Sequence, residues 1–152
     1  MGEYGKFIEW RLIMKTLVIY YSFSGKTRAI SQELAAKESY DIAEIKDVKR
    51  FGVIKAFTAG ILATAKGKPW PIQPLTVKWS DYDRLILLSP IWAGNQPPAV
   101  NAFLEILPEG KAMAVKMVSG SGKSACRERM EAAIKRRGSN LESFEDIQAP
   151  GK

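Results

Sequence analysis

Three short stretches of small and hydroxyl-bearing residues hold most of the chemistry this chain offers. They are Ser22-Phe23-Ser24-Gly25-Lys26-Thr27, the run Ser89-Pro90-Ile91-Trp92-Ala93-Gly94-Asn95-Gln96-Pro97-Pro98, and Ser119-Gly120-Ser121-Gly122. In the first, Ser22, Ser24 and Thr27 supply hydroxyl donors, and Gly25 lets the backbone come close to an anion. A helix beginning there adds unpaired N–H groups and the positive end of its dipole. The set suits a phosphate monoester. The plainer alternative is that Ser24 or Thr27 caps the helix, although three hydroxyls exceed what a cap needs. In the second stretch, Trp92 stands in a loop between Pro90 and Gly94. Its indole can stack on a planar ring, and Gly94 lets a peptide group reach the edge of such a ring. Equally, Trp92 can plug the sheet edge as a core anchor. The third stretch offers bare N–H groups and hydroxyls suited to the polar edge of a heterocycle, but glycine turns are common and it is a weak signal alone.

Several chemistries are excluded. The chain has no histidine and a single cysteine, Cys126. An intramolecular disulfide, a Ser-His-Asp triad, a Cys-His dyad and a His-based zinc site all fall away together. Gly25-Lys26-Thr27 and Gly122-Lys123-Ser124 match the end of a triphosphate-binding loop. That motif needs a glycine where Tyr20 and Met117 stand, and the strand leading to Ser89-Pro90 offers no aspartate for magnesium. The dinucleotide signature G-x-G-x-x-G is absent as well.

The elements that must position these loops follow from hydrophobic pattern. The 152 residues suit one domain, with 46% hydrophobic and 26% charged residues, an ordinary globular balance. Residues 15–21, 83–89 and 111–118 have continuous apolar centres, as strands buried on both faces require. Residues 41–46, anchored by Ile42 and Ile45, and 141–147 complete five strands. Residues 28–37, 53–66, 98–107 and 124–137 read as helices. In the third of these, Val100, Phe103, Leu104 and Leu107 share one face. Residues 67–80 carry three prolines and must run largely extended. Strand and helix alternate throughout, which implies a parallel sheet with helices on both faces. The loops after strands 1, 3 and 4 then meet at the carboxyl edge, where such sheets bind ligands. Residues 1–13 lack signal-peptide features and read as an N-terminal extension or tail before a domain spanning 14–152, with Met14 as an alternative start. No apolar run approaches the ~20 residues of a membrane span, and a cytoplasmic location is expected.

The segments LVIYYSFSGKTRAISQELA (17–35) and YDRLILLSPIWAGNQPPAVNAFLE (82–105), with MVSGSG (117–122) in support, resemble the flavodoxin family. The resemblance covers about residues 14–147. It implies an α/β, flavodoxin-like, doubly wound five-stranded parallel sheet of order 2-1-3-4-5, with FMN as cofactor. By position, Ser22, Ser24, Gly25, Lys26 and Thr27 would hold the phosphate. Pro90, Ile91, Trp92, Ala93 and Gly94 would line the ring, and Ser119, Gly120 and Gly122 would meet its polar edge. The function implied is electron transfer to a redox partner protein or small-molecule acceptor. The alternative is a small FMN-dependent NAD(P)H oxidoreductase acting on quinones or similar acceptors.

Four departures from the family stand out. The net charge is +7, where electron carriers of this type are usually acidic. The third loop has no aromatic residue, and Lys26 stands where many members have Asn. The final helix after strand 5 is missing, which would leave part of one sheet face bare and apolar. The N-terminal segment or a second subunit, as in a homodimer, would then cover it. Basic surroundings should make the potential of the reduced, anionic flavin less negative. One unit charge ~10 Å away at an effective dielectric of ~20 is worth about 1.7 kcal/mol before screening. The same charge admits a nucleic-acid-binding reading, but no such motif is present and that partner is not expected. Cys126, at the start of the fourth helix, is expected to pack, in a position where the helix dipole would lower its pKa.

Overall fold

Runs of β-branched and large aliphatic residues form five strands, here described from a computed structural model covering residues 15–48, 66–120 and 122–150. β1 is Thr16–Tyr20, β2 Asp41–Glu44, β3 Arg84–Pro90, β4 Ala112–Ser119 and β5 Asn140–Gln148. Between them lie α1 (Lys26–Glu38), α2 (Pro98–Glu105) and α3 (Arg127–Arg136), with one 3-10 turn at Trp79–Asp81. All strands pair in parallel, in the order β2-β1-β3-β4-β5. This is the doubly wound order expected, and the direction of winding reverses between β1 and β3.

The two faces of the sheet differ. One carries Leu17, Ile19, Leu85, Leu87, Met113, Val115 and Met117. It packs against Val100, Phe103 and Leu104 of α2 and against Met130 and Ile134 of α3, with Cys126 beside them. The i, i+3, i+4, i+7 stripe on α2 is thus buried as its spacing requires, and Leu107 completes it just past the helix. The other face carries the smaller set Val18, Ile86, Ala114 and Val118 with Tyr20 and Leu88, packed with Ala35 of α1.

The part of this second face at β4 and β5 is where the missing final helix would lie. Among the described residues the expected bare apolar surface is not there. Arg84 pairs with Glu142 at 2.7 Å, Lys116 pairs with Glu145, and Ala114 lies opposite Ser143. Cross-strand charges take the place of an apolar face, and no helix follows β5 among the described residues. Glu142 is also the extra residue of a bulge, since Met113 pairs with Leu141 and Ala114 with Ser143. Leu141 and Phe144 are three apart and would point to opposite faces of a regular strand. The bulge puts both against the larger core.

Other boundaries shift modestly. α3 begins at Arg127 rather than at 124, leaving Cys126 at its N-cap. Ile42 is not an anchor: it sits on the edge strand and is 40% exposed, whereas Ile45, just past β2, is buried. The proline-rich run 67–80 is extended as expected. It is tied to the tail of β2 by the Asp47–Ile72 bridge and by the Gln73 N–H to the Lys46 carbonyl at 2.8 Å. Trp70, Ile72, Leu75, Val77 and Trp79 on this run pack against the larger core. The expected helix at 53–66 falls, but for Lys66, outside the described residues, as does the segment 1–13. Among the described residues no helix is long and apolar enough to cross a membrane.

Candidate functional site

The first loop turns sharply because Ser22 and Gly25 make it do so. Tyr21 still pairs with β3, its N–H donating to the Leu88 carbonyl at 3.1 Å. The Gly25 N–H then donates to Ser22 Oγ at 3.0 Å. Gly25 takes the N-cap position of α1 at φ +97, a backbone conformation that favours glycine. No side chain caps the helix, so the capping role considered for Ser24 or Thr27 is not what the structure shows. The first N–H groups of α1 have no partner within the helix and face the loop. Ser24 and Lys26 are exposed, and Thr27 is buried.

In the second loop, Trp92 and Asn95 exchange two backbone hydrogen bonds, at 2.8 and 2.9 Å. The turn between them is tight, with Ala93 at φ +48 and Gly94 at φ +82. Left-handed backbone costs a residue with a Cβ about 1–2 kcal/mol, so Ala93 is held there by its surroundings. Trp92 is partly buried and lies edge-on to three rings. Centroid distances are 5.6 Å to Phe23, 5.9 Å to Trp70 and 6.1 Å to Tyr21. It therefore packs on the core, as an anchor of the sheet edge would, and also lines the cavity described below.

The third loop is stitched to its neighbours. Ser119 Oγ accepts from the Gly122 N–H at 3.0 Å and donates to the Gly122 carbonyl at 2.7 Å. Gln148 Nε2 donates to the Gly120 carbonyl at 3.2 Å. The Ala125 N–H donates to the Gly94 carbonyl at 2.6 Å, which ties the second loop to the third. Ser124 adds a hydroxyl bond to Asp146 at 2.6 Å.

These three loops meet around a cavity of about 210 Å³. Ser24, Lys26 and Thr27 line it from the first loop, Pro90, Ile91 and Trp92 from the second, and Ser119 and Gly120 from the third. Ser22, Gly25, Ala93, Gly94 and Gly122 do not line it; they shape the turns that do. A pocket that encloses a whole ligand typically measures about 300–1,000 Å³, so this one is large enough to enclose only part of such a ligand. Two larger hollows, of about 450 and 540 Å³, flank β2, but neither gathers residues from all three loops.

The charges around the cavity are cationic or neutral. Lys26 lines it and makes no ion pair among the described residues. Arg28 turns into the neighbouring hollow, where Glu44 holds it at 2.5 Å and pushes its pKa up. Cys126 packs in the core as expected, but the expected lowering of its pKa is reversed. Burial pushes the thiol pKa up, and Sγ packs 3.8 Å from Met130 Sδ, so it is an inert core group.

Aromatic flatness at Trp92, an ammonium at Lys26 and an open helix start together fit a planar ring bearing a phosphate. Several residues that matter here escaped the sequence reading. Val118 and Ala149 complete the cavity wall, and Asp47, Tyr21 and Trp70 form a hydrogen-bonded group behind Trp92. Trp70, an aromatic residue amid prolines, was the one visible signal for that group.

No family model matches this sequence, and no curated protein matches it. Solved structures do. A Bacteroides eggerthii protein assigned as a flavoprotein superposes with a TM-score of 0.74 at 21% identity, over 88% of this chain and 87% of its own. A Lactobacillus acidophilus flavoprotein in complex with FMN gives 0.68 at 19% identity, over 88% and 93%. Megasphaera elsdenii flavodoxin gives 0.53 at 15%, over 88% and 86%. With the strand order β2-β1-β3-β4-β5, these likenesses establish that the chain has the flavodoxin-like fold.

Proposed function

We propose that this protein binds FMN at the loop edge and transfers electrons through it to a redox partner protein or a small-molecule acceptor. The observation that carries this reading is the meeting of three loops around one cavity, with the start of α1 at one end and Trp92 at the other. A structure of the same fold holding FMN supports it. Bound FMN supplies reversible one- and two-electron chemistry. The protein's part is to bind, orient and tune. The N–H groups at the start of α1, with the Ser24 hydroxyl and Lys26, receive the phosphate. Trp92 and Ile91 offer the flat apolar wall for the ring, and the Gly120 region meets its polar edge. Lys26 and the helix dipole place positive potential at the site, which favours the anionic reduced state and a less negative potential.

The protein is expected to act without membrane insertion and in the cytoplasm; with charges in place of the apolar face that would call for a second subunit, a measurement of its mass in solution decides between monomer and homodimer. A second reading, an NAD(P)H-dependent quinone reductase, is favoured by the third loop. Residues Ser119-Gly120-Ser121-Gly122 contain no aromatic side chain to cover the outer face of a bound ring. FMN-loaded protein mixed with NADPH and a benzoquinone separates the two. Carrier function predicts no steady turnover of NADPH, and the reductase reading predicts continuous oxidation. Retention of no flavin after desalting would remove both.

A further inference from the structure

Asp47 follows β2 by three residues and lies outside the loop cavity, lining the neighbouring hollow instead. Each oxygen of its carboxylate accepts a hydrogen bond from an aromatic side chain. The Tyr21 hydroxyl donates to Oδ2 at 2.8 Å, and the Trp70 indole N–H donates to Oδ1 at 2.9 Å. Both donors belong to rings that abut Trp92 edge-on, Tyr21 at an interplanar angle of 67° and Trp70 at 77°. Asp47 thus fixes two of the three rings that enclose Trp92, Phe23 being the third.

The carboxylate is itself anchored. Asp47 bridges to Ile72 in antiparallel fashion, and its carbonyl accepts from Gln73 Nε2 at 3.1 Å. The clamp joins the tail of β2, the end of β1 and the proline-rich run behind the loop after β3. A buried Tyr21 ring needs an acceptor for its hydroxyl, and an indole N–H needs one too. An ionised carboxylate is the one side chain that accepts both with charge assistance.

We infer that Asp47 is a positioning residue for the ring end of the site: through Tyr21 and Trp70 it sets the plane of the Trp92 indole and so its stacking on a bound planar ring. This rests on the FMN reading above. Asp47→Asn tests it, because an amide offers one acceptor oxygen where the two donors need two. In the ligand-free protein, near-ultraviolet circular dichroism should lose intensity from the Trp70–Trp92 pair while the far-ultraviolet spectrum stays unchanged. FMN affinity should fall about fivefold to tenfold, the equivalent of about one net hydrogen bond. In a Trp92→Leu background the same Asp47→Asn change should shift affinity less than about twofold, because the ring it orients is gone. Tyr21→Phe keeps the ring volume, removes one donor and should give about half of the Asp47→Asn spectral loss. This variant decides the matter if Asp47→Asn does not fold. An unchanged near-ultraviolet spectrum, or equal affinity losses in both backgrounds, would overturn the inference. Absence of FMN binding by the unsubstituted protein would overturn the functional reading alone, while the ligand-free spectra still decide whether Asp47 orders Trp92.

Discussion

The two ends of the candidate site are built by different physics. The first loop is shaped by backbone: Gly25 at φ +97 opens the start of α1, and no side chain caps it. The second loop is shaped by packed surface, with Trp92 held edge-on by Phe23, Trp70 and Tyr21. The first end suits an anion and depends on local conformation. The second suits an uncharged ring and depends on residues drawn from three separate segments. One end can therefore be disabled without the other, and each should answer to a different part of the ligand.

Gly25→Val should produce the largest effect. A β-branched residue is strained at that φ, although a Cβ there would meet nothing within 4 Å. Together with misdirected N–H groups, FMN affinity should drop about 100-fold, or about 2.7 kcal/mol. Riboflavin, which lacks the phosphate, should bind this variant about as well as it binds the unsubstituted protein. Isothermal titration of both ligands checks the contrast.

Trp92→Leu attacks the other end. Loss of aromatic contact should weaken FMN and riboflavin alike by about tenfold. Flavin fluorescence should be less quenched in the complex. A loss confined to FMN would merge the two ends into one.

Lys26→Gln is a smaller change at the phosphate end. Its ammonium is exposed, so the effect should be about threefold at low salt and should vanish as salt rises. Titrations at two ionic strengths measure it.

The smallest effect lies at the opposite edge of the sheet. The Tyr82 hydroxyl donates to Asp41 at 2.6 Å, and this bond, with burial second, pushes its pKa up to about 12 from the usual 10.0. The folded state holds that proton more tightly than the unfolded chain. Its contribution is therefore fully present below pH 10 and is lost as pH rises through about 12. Denaturant melts of the protein and its Tyr82→Phe variant should differ slightly at pH 7 and converge toward pH 12, with FMN affinity at pH 7 the same for both.

The contrast between the two ends also explains what could be read in advance. The turn of the first loop was legible because consecutive residues, Ser22 to Thr27, make it, between a strand and a helix whose patterns are both clear. The parallel sheet followed from strand–helix alternation and from continuous apolar runs such as Leu85 to Leu88, which a central parallel strand buries on both faces, whereas the strand order was implied by the resemblance to the flavodoxin family. Trp92 was visible, but its setting was not. Tyr21, Asp47 and Trp70 come together only through the bridge between Asp47 and Ile72, a pairing with no periodic signature. The expectation of a bare sheet face rests on the missing final helix and takes no account of Glu142 and Glu145 in LESFEDI. Their role as partners of Arg84 and Lys116 depends on the bulge, and a bulge shifts facing in a way that alternation does not reveal.

A side-by-side titration of FMN and riboflavin into the purified, flavin-free protein tests the central claim most directly. A two-ended site predicts one FMN per chain with quenched fluorescence, and riboflavin binding at least about tenfold more weakly for want of the phosphate. Equal affinity for the two, or no FMN binding at micromolar concentration, would contradict it.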